Sequence, residues 1–208
     1  MKKIIPYGKH FIDKADRSAV DKILLSKSIT QGPVIEKFEK KIANYVNAKY
    51  AVAVSSCTAG MHLSLLACGL TKNQTVLTSP ITFVSTANVA SFCQSKIDFV
   101  DIDKNTLNFS IEILKKNFIK KNKIIDAIIP VHFAGNSFDT KKLASILGRK
   151  VKIIEDAAHA LGSKYKDGTM VGSCKYSKAT VFSLHPVKTI ACGEGGVVTT
   201  NDKNLYKK

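Results

Sequence analysis

Arginine is nearly absent from this 208-residue chain: Arg17 and Arg149 stand against 30 lysines. Dedicated nucleic-acid sites lean on the bidentate guanidinium. The formal charge of +16 is therefore read as a solvated lysine surface, and no nucleic-acid partner is expected. No apolar run reaches the roughly 18 residues that would suggest a membrane span, so no membrane partner is expected either. The start, Met1-Lys2-Lys3-Ile4-Ile5-Pro6-Tyr7-Gly8, is basic but lacks the long apolar region of a secretory leader. The five cysteines (Cys57, Cys68, Cys93, Cys174 and Cys192) show no CxxC spacing, which leaves neither a zinc signature nor a disulfide framework. Reduced thiols suit a cytoplasmic protein, and no metal is expected. Internal repeats, low-complexity tracts and an interdomain linker are also missing. What is there, 45% hydrophobic and 23% charged residues, is globular composition in a chain long enough to bury a core without staples.

Asp13 can cap a helix carrying Val20, Ile23, Leu24 and Leu25. The turn Thr30-Gln31-Gly32-Pro33 places a proline to open a second helix, with Val34, Phe38, Ile42 and Tyr45 near helical spacing. From Tyr50 onward short apolar runs alternate with helical stretches. Strands are expected at 50–54, 75–78, 97–101, 126–131, 151–154, 179–183 and 196–200. Helices are expected from Thr58, Val84, Ile111 and Thr140. This alternation predicts an α/β fold, a mostly parallel central sheet with helices on both faces. Residues 1–48 read as an N-terminal helical segment and 49–208 as a large domain. The end, Tyr206-Lys207-Lys208, starts what reads as a helix, so the chain is expected to stop mid-fold.

Parallel sheets bind ligands at the carboxyl ends of their strands. After 50–54 comes Ser55-Ser56-Cys57-Thr58-Ala59-Gly60, hydroxyl and small residues leading into a helix. Free N–H groups and the positive helix end suit a phosphate there; an ordinary N-cap is the plainer reading. After 75–78 comes Phe83, which could stack on a flat ring or fill the core. After 151–154 come Asp156 and His159 among small residues. A carboxylate here could hold a protonated ring nitrogen and His159 another ring substituent, or the pair could be a cap and a core histidine. After 179–183, which ends at Ser183, Lys188 sits in a Gly-rich loop, either a Schiff-base lysine or one surface lysine more. Together these are an anchor, a plate, a ring-nitrogen partner and a tether, the parts that hold pyridoxal 5'-phosphate.

These stretches, ITQGPVIEKFEKKIANYV (29–46), YAVAVSSCTAGMHL (50–63), SPITFVSTANV (79–89), VDIDKNTLN (100–108), PVHFAGN (130–136), EDAAHALGSKY (155–165) and VFSLHPVKTIACGEGGVVTTND (181–202), resemble the DegT/DnrJ/EryC1/StrS sugar aminotransferases. The resemblance implies the aspartate-aminotransferase-like architecture, known as PLP fold type I. It implies Lys188 as the catalytic lysine that binds the cofactor covalently and moves the substrate proton. It implies Asp156 on the pyridine nitrogen, His159 on the ring-hydroxyl side and Phe83 stacked on the ring. Thr58, Ala59 and Ser183 are implied as phosphate contacts. Within the family, SPITFVSTAN, PVHFAG, HALGSKY and FSLHPVKTI resemble the branch that makes pseudaminic acid. That branch aminates position 4 of a UDP-linked 4-keto-6-deoxy-N-acetyl-hexosamine, with glutamate as donor.

The resemblance further implies a homodimer and a C-terminal small domain that 1–208 do not include. An inactive remnant of such an enzyme is therefore the alternative. Ala191-Cys192-Gly193 departs from a stretch often richer in Thr, and Cys57 and Ala59-Gly60 from other small residues. Lys188 argues against the related sugar 3-dehydratases, which carry His at that position. The role of His185 is left open.

Overall fold

The computed structural model describes Gly8, residues 10–148 and residues 150–208. The segment read above for a leader, Met1–Tyr7, lies outside the described residues, as does Arg149. Two helices open the chain, α1 (Lys14–Leu24) and α2 (Pro33–Val46). Then β1 (Tyr50–Val54), α3 (Cys57–Ala67), β2 (Thr75–Thr78), α4 (Ser85–Phe92) and β3 (Lys96–Phe99) alternate. Next comes α5 (Ile111–Leu114), which widens into a π-helical turn (Lys115–Ile119), and then β4 (Ala127–Ile129). After α6 (Thr140–Leu147), three strands follow with no helix between them: β5 (Lys152–Asp156), β6 (Ala179–Ser183) and β7 (Gly196–Thr200). The last element is α7 (Lys203–Lys207).

The seven strands form one sheet in the order β1-β7-β6-β5-β4-β2-β3. The pairings from β6 through β3 are parallel, while β7 runs antiparallel to both β1 and β6. Successive residues of a strand face opposite sides, and here both sides are covered. Val76, Ile129, Ile154 and Val181 pack against Met61 and Leu65 of α3 and Val89 of α4. Their strand neighbours Leu77, Ile128 and Ile153 pack against Leu114, Phe118 and Leu143 on the other side. Each such side chain taken fully out of water stabilises the fold by roughly 1.5–3 kcal/mol. This two-sided burial is why these strands read as near-continuous apolar runs.

The sequence placed several features differently, among them β3 and β4, which end two residues before the expected 101 and 131. In α1, capped by Asp13 as expected, no residue is buried; Val20, Leu24 and Leu25 are exposed. On α2, Ala43 and Val46 are the buried residues, while Val34 and Tyr45 face outward. The fifth strand runs past Ile154 to Asp156, because Asp156 itself pairs with Val181 of β6.

Candidate active site

The carboxyl ends of β1, β5 and β6 meet beside the start of β7, since Gly196 pairs with both Val54 and Ser183. A cavity of about 590 Å³ opens there. It gathers Thr58, Phe83, Asp156, His159, Ser183 and Lys188 on one wall or another.

Helix α3 provides one end. Ser56 is its N-cap, with extended backbone, and its Oγ accepts from Ala59 N at 3.1 Å. The cap leaves the start of the helix, Cys57 and Thr58, facing the cavity. A helix start with unspent N–H groups attracts anions. Ala59 differs from the sequence expectation: its N–H is spent on Ser56, and it does not line the cavity. Two glycines bring this end close to the sheet. A Cβ on Gly60 would lie 2.7 Å from Val181 Cγ1, and one on Gly196 would lie 2.7 Å from Cys57 N. Burial pushes the Cys57 thiol well up, and Asp156 adds to this, so Cys57 is a neutral wall residue and no nucleophile.

Asp156 is buried, and two donors hold it. Ala158 N donates to Oδ1 at 3.1 Å, and Thr86 Oγ1 donates to Oδ2 at 2.7 Å. Because the Thr86 hydrogen goes to the carboxylate, the 2.8 Å contact between Thr82 and Thr86 has Thr82 as donor. This relay runs from the turn before α4 into the site. The carboxylate's open side faces the cavity.

His159 follows in a turn rather than a helix. Its Nε2 lies 2.7 Å from Lys188 Nζ. Partial burial lowers its proton affinity and the Lys188 charge lowers it further, while Asp156 pulls the other way. Lys188 stands in a loop pinned at both ends, by Leu184 N to Gly195 O at 2.9 Å and Cys192 N to Leu184 O at 3.0 Å. In the same loop, His185 Nε2 is 4.0 Å from Glu194 Oε1. Ser183 is buried, and its Oγ accepts from His185 N at 3.4 Å. Phe83 is 73% exposed and lines the cavity, so the core reading does not hold for it.

Sequence reasoning missed the group behind the site. Glu155, the residue before Asp156, is fully buried and faces the other side of the sheet. Its carboxylate accepts from His132 Nε2 at 3.0 Å and Tyr165 OH at 2.7 Å, and also from Thr140, Ser177 and Thr180. Phe138 N donates to His132 Nδ1, so the hydrogen that His132 gives to Glu155 sits on Nε2. Burial alone would push the Glu155 carboxyl up; the hydrogen bond from His132, the electrostatic pull of that ring and the hydrogen bonds from Ser177 and Thr140 outweigh it and hold the group at about 2. An acid inside the apolar run Lys152–Asp156 was the available signal. Thr86 and Thr82 gave none, since hydroxyls beside a helix start read as caps.

The donor set fits pyridoxal 5'-phosphate. Hydroxyls and N–H groups at a helix start suit its phosphate, an ionised carboxylate its protonated ring nitrogen, and an amine its aldehyde. Among the described residues no group of three or more His, Cys, Asp or Glu side chains comes together as a metal site would. No helix among them is long and apolar enough to cross a membrane.

The profile described as the DegT/DnrJ/EryC1/StrS aminotransferase family matches residues 10–208. The chain is 38% identical over 206 residues to the UDP-4-amino-4,6-dideoxy-N-acetyl-beta-L-altrosamine transaminase of Campylobacter jejuni, covering 99% of this chain and 54% of that protein. It is 40% identical to the spore coat polysaccharide biosynthesis protein SpsC of Bacillus subtilis, covering 98% and 51%. Among solved structures, Helicobacter pylori PseC, an aminotransferase of pseudaminic acid biosynthesis, superposes with a TM-score of 0.87 at 32% identity, covering 99% and 54%. The PLP form of Streptococcus pneumoniae Spr1654 superposes with a TM-score of 0.84 at 27% identity, covering 97% and 54%. The chain thus spans about half the length of the relatives it matches. The fold is that of the PLP-dependent sugar aminotransferases, as the sequence predicted.

Proposed function

The chain belongs to the DegT/DnrJ/EryC1/StrS aminotransferase family, whose aminotransferases use pyridoxal 5'-phosphate. On that premise we propose that it carries the cofactor site of an enzyme that transfers an amino group from glutamate to a nucleotide-linked keto sugar. One observation carries this reading: the Lys188 amine, the Asp156 carboxylate and the start of α3 converge on one cavity. The likeness to the C. jejuni transaminase and to PseC supports a finer form. The acceptor is then a UDP-linked 4-keto-6-deoxy-N-acetyl-hexosamine and the product belongs to pseudaminic acid biosynthesis. The working enzyme is a cytoplasmic homodimer, in which α1 and α2 form an N-terminal helical segment ahead of a large domain.

When bound, the cofactor supplies an electron sink for the substrate carbon that loses its proton. This chain's residues supply the rest. Ser56, Thr58, Ser183 and the start of α3 would hold the phosphate. Asp156, oriented by Thr86 and Ala158, would stabilise positive charge on the ring nitrogen. Phe83 presents a flat apolar face to the ring. Lys188 Nζ would hold the cofactor through its aldehyde and would carry a proton from one substrate carbon to the other.

The test is to incubate the purified chain with pyridoxal 5'-phosphate, reduce with borohydride and map the peptides. A single adduct on Lys188 is expected. Adducts spread over the 30 lysines, with none preferred at Lys188, overturn the reading.

A further inference from the structure

Lys188 Nζ touches an imidazole, which is an unusual partner for an ammonium group. Two cations would repel at 2.7 Å, so the contact requires one partner to be neutral. Partial burial, with Lys188 beside it, lowers the proton affinity of His159, which makes the ring the neutral partner. A neutral ring that accepts on Nε2 carries its own hydrogen on Nδ1. The ionisable groups on the surrounding wall are Asp156 at the end of β5, Cys57 at the start of α3, His132 after β4, and His185 and Glu194 in the lysine's own loop. No hydrogen bond joins any of these to Lys188 Nζ among the described residues.

We propose that His159 is the proton acceptor of Lys188: its Nε2 takes one ammonium proton, which frees the amine to attack an aldehyde carbonyl. The inference rests on Lys188 as the amine that captures the cofactor aldehyde, and adds the group that activates it. The step balances without a further reactant. The nitrogen pair forms a C–N bond while the carbonyl π pair moves to oxygen. A second nitrogen-bound proton moves to that oxygen, and His159 returns the first to it. The C–O bond then breaks and water leaves. The third proton stays on nitrogen, so an ammonium and an aldehyde become a protonated imine and water, with His159 as it began.

A proton acceptor in contact leaves a kinetic signature. While the amine is protonated and His159 is not, capture through His159 is flat with pH, because the population that reacts does not change. Below the His159 titration, which lies under the ordinary histidine value of 6.5, the rate falls. A lysine without an acceptor instead gains about tenfold per pH unit as its free-amine fraction grows.

The probe is acetaldehyde with cyanoborohydride, with each lysine read by peptide mass between pH 5.5 and 9 in the 208-residue chain. Lys188 of the native chain is expected to change less than about twofold between pH 7 and 8, while exposed lysines such as Lys115 and Lys141 rise about tenfold. In His159→Gln, which keeps an acceptor oxygen but cannot take a proton, Lys188 is expected to join the tenfold line. If native Lys188 follows the same line as Lys115, or if His159→Gln keeps the plateau, the proposal is overturned. A parallel sample with pyridoxal 5'-phosphate separates the two readings. Labelling away from Lys188 with the plateau intact removes only the cofactor reading, and labelling at Lys188 with no plateau removes only this one.

Discussion

Glu155 and Asp156 are consecutive in β5, and their carboxylates turn to opposite faces of the sheet. Asp156 meets the cavity with two donors and an open side; Glu155 meets the interior with five donors. A period of two makes this possible. One strand carries both the charged group of the site and the anchor that fixes the strand beneath it. His132 ties the halves together: its ring donates to Glu155, and its backbone N–H donates to Asp156 O at 3.0 Å.

Removing the anchor should be costly. Glu155→Leu strips the acceptor from five donors, and a buried donor left without a partner costs about 1–3 kcal/mol. A loss of at least about 3 kcal/mol is expected, read as a lowered urea midpoint at unchanged slope. A midpoint equal to that of the native chain would show that the hub adds nothing to stability.

Acid should undo the same hub. The Glu155 carboxyl is held at about 2 in the folded chain, below its ordinary 4.5. A depressed folded value contributes stability that is present above the unfolded value and is lost as pH falls through the window from 4.5 toward 2. Urea midpoints measured from pH 7 to pH 3 should fall below pH 4.5. In Glu155→Gln the part of that fall due to this group should vanish.

Thr86→Val keeps the shape and deletes the hydroxyl that donates to Asp156. Affinity for pyridoxal 5'-phosphate should weaken by about 1–3 kcal/mol, roughly five- to 150-fold, with stability changed far less. Fluorescence or absorbance titration of the cofactor reads this directly. Equal affinities would remove Thr86 from the support of Asp156.

Gly196→Ala drives a Cβ to 2.7 Å from Cys57 N and from Ser56 C, which are backbone atoms that cannot swing away. Overpacking of this kind costs about 1–3 kcal/mol. Because it pushes on the first residues of α3, phosphate-dependent affinity should suffer as well. A titration comparing pyridoxal with pyridoxal 5'-phosphate should show the selectivity for the phosphate form reduced.

Lys188→Ala should abolish both the borohydride-trapped adduct and any glutamate-dependent amination, without moving the urea midpoint by more than about 0.5 kcal/mol, because the side chain is not a core residue. Turnover by this variant would show the wrong lysine had been chosen.

The sequence by itself determined the strands buried on both faces, the Asp13 cap, the helix-opening Pro33 and the candidates at the strand ends. Those features follow from local periodicity and from residue types with few uses. Tertiary structure decided which candidates share a wall. It spent the Ala59 N–H on the Ser56 cap, drew Thr86 70 positions along the chain onto Asp156, and set His159 against Lys188 across 29 positions. It also decided that the apolar residues of α1 stay uncovered in this chain and that Glu155 faces a ring of hydroxyls. Strand alternation says only that neighbouring side chains part company; which partners await them depends on long-range pairing order, and no local pattern encodes that.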